Sequence, residues 1–142
     1  MMRRVLSVLS AVLLLSIGGQ AMAKEVDVQI QKGSQTMNVY VDGKLKYTWK
    51  VSTGRKGFST PKGNFKPTWM TKMWRSKQWH NAPMPHSIFF KDGYAIHGTT
   101  DVKYLGRAAS HGCVRLAPKH AEKLFELVKK HGEKKTRIQV TA

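Results

Sequence analysis

Period-two alternation of apolar residues early in the chain is the strongest constraint on its fold. Val26, Val28 and Ile30 alternate with Asp27 and Gln29, and Met37, Val39 and Val41 repeat the pattern. Successive side chains of a strand point to opposite faces, so these segments bury one face as β-strands and would scatter their apolar residues around a helix. Asp42-Gly43 then offers the two left-handed positions of a tight hairpin turn before Leu45, Tyr47, Trp49 and Val51. The residues of that return strand are expected in the core.

Ser52-Thr53-Gly54 ends the run, and Gly57, Pro61 and Gly63 make Arg55 to Asn64 a turn-rich loop ahead of a strand starting at Phe65. Thr68 to Pro85 fits neither template. Its Trp69, Trp74, Trp79, Met70, Met73 and Met84 are mixed with cations and with Pro83 and Pro85, so a long loop or short hairpin over a cleft is expected. Ser87 to Phe90 and Tyr94 to Ile96 read as strands joined by a turn at Asp92-Gly93, which puts His97 at a strand end.

One helix is predicted. Pro118 suits a first turn, Ala121, Leu124, Phe125 and Val128 share one face, and Lys129, Lys130 and His131 precede a stop at Gly132. Ile138 and Val140 then mark a closing strand. The expected architecture is one mainly β (α+β) domain over residues 24–142, with two packed or mixed sheets and a single substantial helix.

Residues 1–23 are read as a signal peptide rather than as fold. Arg3 and Arg4 precede an apolar run from Val5 to Ile17, and Ala21-Met22-Ala23 has the small residues of a cleavage site. The run is short of the ~20 residues that span a bilayer, so cleavage after Ala23 and a periplasmic or cell-envelope location are expected.

Export changes the meaning of the lone cysteine. Cys113 has no intramolecular partner, and an unpaired thiol in an oxidising compartment is a liability unless it has a task. His111 and His97 are the candidate bases for a cysteine nucleophile, which needs a neighbouring base or a positive environment to form thiolate. Gly112 removes a side chain beside the sulfur, and the N–H groups of His111, Gly112 and Cys113 are candidate oxyanion donors. A zinc site from His97, His111 and Cys113 would use the same ligand types, but their spacing is not a usual zinc pattern, so no metal is expected. His80 and His86 are not read as bases.

The net charge of +17, two fewer without Arg3 and Arg4, favours anionic partners, among which nucleic acid is the least available outside the cell. An anionic envelope remains the natural partner for such a surface. A solvated lysine-rich surface with no partner is the competing reading.

Ala95-Ile96-His97-Gly98, then Ser110-His111-Gly112-Cys113-Val114-Arg115-Leu116, with Ser52-Thr53-Gly54 and Thr60-Pro61-Lys62-Gly63-Asn64-Phe65 upstream, resembles the L,D-transpeptidase catalytic domain family (YkuD-type) from about Val26 to about Val140. The resemblance implies a β-sandwich-like domain with Cys113 at the mouth of a cleft. It implies that Cys113 attacks the third residue of a peptidoglycan tetrapeptide stem, expelling D-alanine and leaving a thioester, with no cofactor. It assigns the base to His97, oriented through the carbonyl beside Gly98. It gives His111 a substrate-orienting or oxyanion role, Ser110 the support of the loop, and Arg115 either a substrate carboxylate or a structural salt bridge. Aromatics of the 68–85 segment flank the substrate in such relatives, and carbapenems acylate many of their cysteines. The acyl acceptor is left open between a second stem, an amine on an envelope protein, and water; a non-enzymatic envelope-binding protein is the reading from another class.

Overall fold

The computed structural model describes residues 25–142, so the expected signal peptide at 1–23 lies outside the described residues. Nine strands and one main helix follow in order: β1 (Val26–Gln31), β2 (Thr36–Val41), β3 (Lys44–Lys50), β4 (Gly63–Phe65), β5 (Trp69–Ser76), β6 (Ala82–Lys91), β7 (Tyr94–Gly98), β8 (Val114–Leu116), α1 (Pro118–His131) and β9 (Thr136–Thr141).

The alternation that opens the chain does what strand sterics require. β1, β2 and β3 form an antiparallel meander, and β9 returns parallel to β1, giving a five-stranded sheet in the order β3-β2-β1-β9-β4. A second sheet runs β5-β6-β7-β8, antiparallel except for the parallel pair β7-β8. Val26, Val28, Ile30, Met37, Val39, Ile138 and Val140 from the first sheet share one core with Ile88, Phe90, Ile96, Val114 and Leu116 from the second. Each such side chain taken fully out of water contributes about 1.5–3 kcal/mol before ordering entropy is counted.

α1 closes this core with Ala121, Leu124, Phe125, Leu127 and Val128. Pro118 occupies its first turn, and Gly132 ends it at φ +101°. The mixed sheets and single main helix are the architecture expected from the sequence.

Several local expectations change. Leu45 is 56% exposed, because the register shifts between Val39 and Tyr40 and pairs Leu45 with the outward Tyr40 while Tyr47 stays opposite Val39. The strand expected to start at Phe65 instead ends there. Of the loop and the short hairpin expected at Thr68 to Pro85 the structure has the hairpin, but a long one: β5 and β6 pair along their length, and the tip holds His80 and Asn81 at φ +53° and +56°. Its prolines are tolerated because Pro83 and Pro85 pair only with β5, the ladder to β7 starting at Ile88. His86 packs edge-on against Phe125 of α1. β8 is a strand where the sequence suggested only an active loop.

Candidate functional site

Parallel pairing of β7 with β8 assembles the candidate residues. Ile96 lies opposite Val114 and His97 opposite Arg115. Ile96 and Val114 both enter the main core. Period two therefore turns His97 and Arg115 to the other face, together with Ala95 and with Cys113, which immediately precedes β8. Cys113 packs there against the small cluster of Met84, Phe89 and Ala95. His97, Cys113, Arg115, Ser110 and His111 all line one cleft of about 820 Å³, walled also by Trp69, Trp74 and Trp79.

His97 is 6% exposed, and its Nδ1 lies 2.7 Å from the Gly98 carbonyl oxygen. A carbonyl only accepts, so Nδ1 carries the proton and Nε2 is left as the free base. Burial is the main cause that lowers the imidazole pKa to about 4, with the Arg115 charge adding to the drop against the Gly98 bond. Burial likewise raises the Cys113 thiol above its usual range, against the Ala95 N–H and the Arg115 charge, which favour thiolate. At neutral pH the resting pair is thus thiol and neutral imidazole. The thiol lies 3.8 Å from the Gly93 carbonyl oxygen.

Ser110 is fully buried and its hydroxyl ties the loop to itself. Its Oγ donates to the Cys113 carbonyl at 2.6 Å and accepts from the Gly112 N–H at 3.1 Å. The Gly112 N–H is thereby engaged, which removes one of the three expected oxyanion donors. Gly112 itself has φ +124°, and a Cβ there would fall 2.7 Å from Tyr94 Cε1. Only glycine fits that turn.

The loop is anchored from outside by buried polar residues that strand and loop patterns did not single out. Thr60 Oγ1 donates to the Gly112 carbonyl at 2.7 Å and accepts from the Gly54 N–H at 2.9 Å. Ser110 also exchanges main-chain bonds with the 53–55 segment, and Gln35 holds Thr53 through both ends of its amide. Ser52 Oγ donates to the Arg107 carbonyl. The Ser-Thr-Gly stretch and Thr60 carried the only sequence signal for this network, and read from residues alone they say no more than loop.

His111 is held by aromatic rings. Its ring stacks on Trp79 at 3.7 Å between centroids and 11° between planes, with Phe58 edge-on at 5.2 Å. Its pKa is lowered chiefly by burial, then by Arg55 and Arg115. Among the described residues no three His, Cys, Asp or Glu side chains gather as metal ligands. Arg115 makes no ion pair among the described residues, whose salt bridges join Arg137 to Glu25 and Asp27. The structural salt-bridge reading of Arg115 therefore falls away. Gly98 is small for a packing reason too, because a Cβ would meet Pro85, Pro118 and Ala121 at 3.1–3.4 Å.

Trp69 and Trp74 are 40% and 39% exposed, and they meet edge to face while Trp69 stacks flat on Phe89. They form an aromatic wall beside the cysteine, whereas Trp79 reaches the site through His111.

Residues 25–140 match the model of the L,D-transpeptidase catalytic domain (YkuD). A Bacillus subtilis protein named as an L,D-transpeptidase, YciB, is 30% identical over 125 residues, covering 76% of this chain and 59% of the relative. Among solved structures, an L,D-transpeptidase from Mycobacterium smegmatis superposes with a TM-score of 0.76 at 22% identity, covering 84% of this chain and 59% of the other. One from Stackebrandtia nassauensis gives 0.73 at 29% identity, covering 87% and 58%. The chain thus spans about three-fifths of the length of the relatives it matches.

Proposed function

The chain belongs to the L,D-transpeptidase catalytic domain family, and from that premise we propose that it is an exported cysteine L,D-transpeptidase acting on peptidoglycan tetrapeptide stems. The observation that carries the reading is the geometry of β7 and β8. A buried imidazole fixed in the Nδ1–H tautomer shares one sheet face, and one cleft, with a half-buried thiol and a guanidinium that makes no ion pair among the described residues.

In the first step the Cys113 thiol gives its proton to His97 Nε2 as sulfur bonds to the carbonyl carbon of the third stem residue. The carbonyl electrons move onto oxygen, where the N–H groups of Cys113 and His111 are the remaining donors once Gly112 is held by Ser110. Collapse breaks the bond to D-alanine, whose nitrogen takes the proton from His97. The product is a thioester and a free amino acid. In the second step an acceptor amine attacks the thioester carbonyl and loses a proton to His97. Sulfur leaves as thiolate and is reprotonated, restoring the starting pair.

Arg115 suits a carboxylate of the stem, since a guanidinium with no ion pair among the described residues is free for a bidentate contact. Trp69 and Trp74 wall the cleft that would receive the stem. Cross-linking to a second stem is the favoured second step, with an envelope-protein amine or water as its competitors.

Covalent trapping tests the nucleophile. Incubation with a carbapenem is expected to add one inhibitor mass to the intact protein, none to Cys113→Ala, and to do so more slowly in His97→Ala. A parent protein that stays unmodified, or an adduct that persists in Cys113→Ala, contradicts the assignment.

A further inference from the structure

Cations collect in pairs over two aromatic rings, one on β3 at the edge of the five-stranded sheet and one in the turn at 102–107. Tyr47 of β3 carries two ammonium groups over its ring, Lys46 Nζ at 5.6 Å and Lys123 Nζ at 5.7 Å from the centroid. Tyr104, in the short turn after the cleft wall, likewise carries Lys103 at 5.1 Å and Arg107 at 5.4 Å. Two like charges on one ring repel, and among the described residues no carboxylate lies within salt-bridge distance of any of the four. Bound anions would relieve that repulsion.

The two clusters are joined. Gly106 donates its N–H to the Val51 carbonyl at 2.8 Å, and the Lys50 side chain lies against Gly106. β3 is the edge strand of its sheet and exposes Lys44, Lys46 and Lys50. His120, which stacks on Trp49, has its pKa lowered by burial and by Lys123, as expected in a locally positive field.

The surface is also continuous with the site. Thr99, Thr100 and Asp101 line the cleft, and the next residue, Val102, opens the turn that carries Lys103, Tyr104 and Arg107.

We propose that β3, the 102–107 turn and Lys123 form a docking surface for the repeating stem carboxylates of peptidoglycan, holding the polymer while one of its stems occupies the neighbouring cleft. The proposal rests on the transpeptidase reading for the identity of the polymer. Each contact is weak and screened by salt, but repeated stems make attachment multivalent. Continuity with the cleft favours the wall polymer over a lipid surface, because the 102–107 turn begins where the cleft lining of Thr99, Thr100 and Asp101 ends.

The test is co-sedimentation of the full protein with insoluble peptidoglycan, beside turnover of a soluble disaccharide-tetrapeptide. Replacing Lys44, Lys46, Lys50 and Lys103 together by Gln is expected to weaken sedimentation about tenfold or more and leave soluble turnover and the melting temperature unchanged. Replacing the exposed Lys66, Lys72, Lys134 and Lys135 by Gln removes the same charge elsewhere and is expected to weaken it far less. Equal loss in both variants, no loss in the first, or sedimentation indifferent to salt overturns the proposal. So does parent protein captured by phosphatidylglycerol vesicles but not by peptidoglycan. Patch-dependent sedimentation by a parent that turns over no soluble stem supports docking and removes the transpeptidase reading instead.

Discussion

At the scale of single residues, the chemistry depends on groups held in states that water would not give them. His97 is the clearest. With its pKa lowered to about 4, chiefly by burial, the imidazole is neutral across the physiological range, so the acid limb of kcat/KM is expected near that value. A profile measured from pH 4 to 8 should be flat above about 5.5; a limb near the ordinary histidine value of about 6.5 would place the base elsewhere. Gly112 makes the second residue-scale prediction. Gly112→Ala forces Cβ onto Tyr94 at a φ that side chains rarely adopt, a strain of about 1–3 kcal/mol, and should lower the rate of carbapenem acylation about tenfold or more while the protein still folds. An acylation rate like the parent's would show that the turn relaxes freely. That Cys113 lines a cleft with His97 and Arg115 follows from the parallel register of β7 and β8, and the lone thiol beside a glycine was the sequence signal that pointed there. That Ser110 takes the Gly112 N–H was not, since hydroxyl direction depends on a turn whose dihedrals no residue pattern specifies.

At the scale of elements, the strands that alternate cleanly were readable and those that do not were not. β1, β2 and β9 each bury one face against a common core, so period two shows directly in their residues. β5 is largely exposed on both faces, and its pairing with β6 is set by main-chain bonds that leave no apolar rhythm. β8 has three residues, too few for any period. Leu45 was misplaced by a single-residue shift, which reverses the face of everything beyond it. α1 was legible from its apolar face alone, and that face carries a prediction. Leu124 is fully buried, so Leu124→Ala should cost about 2–5 kcal/mol in denaturant unfolding. A loss below about 1 kcal/mol would mean that the helix does not close the core. The β5-β6 hairpin is expected to matter differently: Trp79→Ala removes the ring that His111 stacks on, and should slow acylation with little change in melting temperature.

At the scale of the whole molecule, stability and charge are coupled to the same site. The folded pKa of His97 lies below its unfolded value, so the unfolded chain binds the extra proton first as pH falls. The native state is therefore destabilised progressively from about pH 6.5 down to about 4, by on the order of 3 kcal/mol, with no such loss above that window. Equilibrium unfolding across pH 4 to 7 should show this slope in the parent, and the slope should be smaller in His97→Gln; equal slopes would assign the acid sensitivity to other groups. The surplus of positive charge was visible in composition, but which of its lysines line the free edge at β3 depends on which strand the topology leaves there.

The most direct test of the central claim is mass spectrometry of disaccharide-tetrapeptide after incubation with the protein, parent beside Cys113→Ala. L,D-transpeptidation through Cys113 predicts a cross-linked dimer lighter by one D-alanine with the parent, and unchanged tetrapeptide with the variant. Tripeptide alone would replace the acceptor amine with water. The same product from Cys113→Ala, or no product from a folded parent that does form the carbapenem adduct, would contradict the claim.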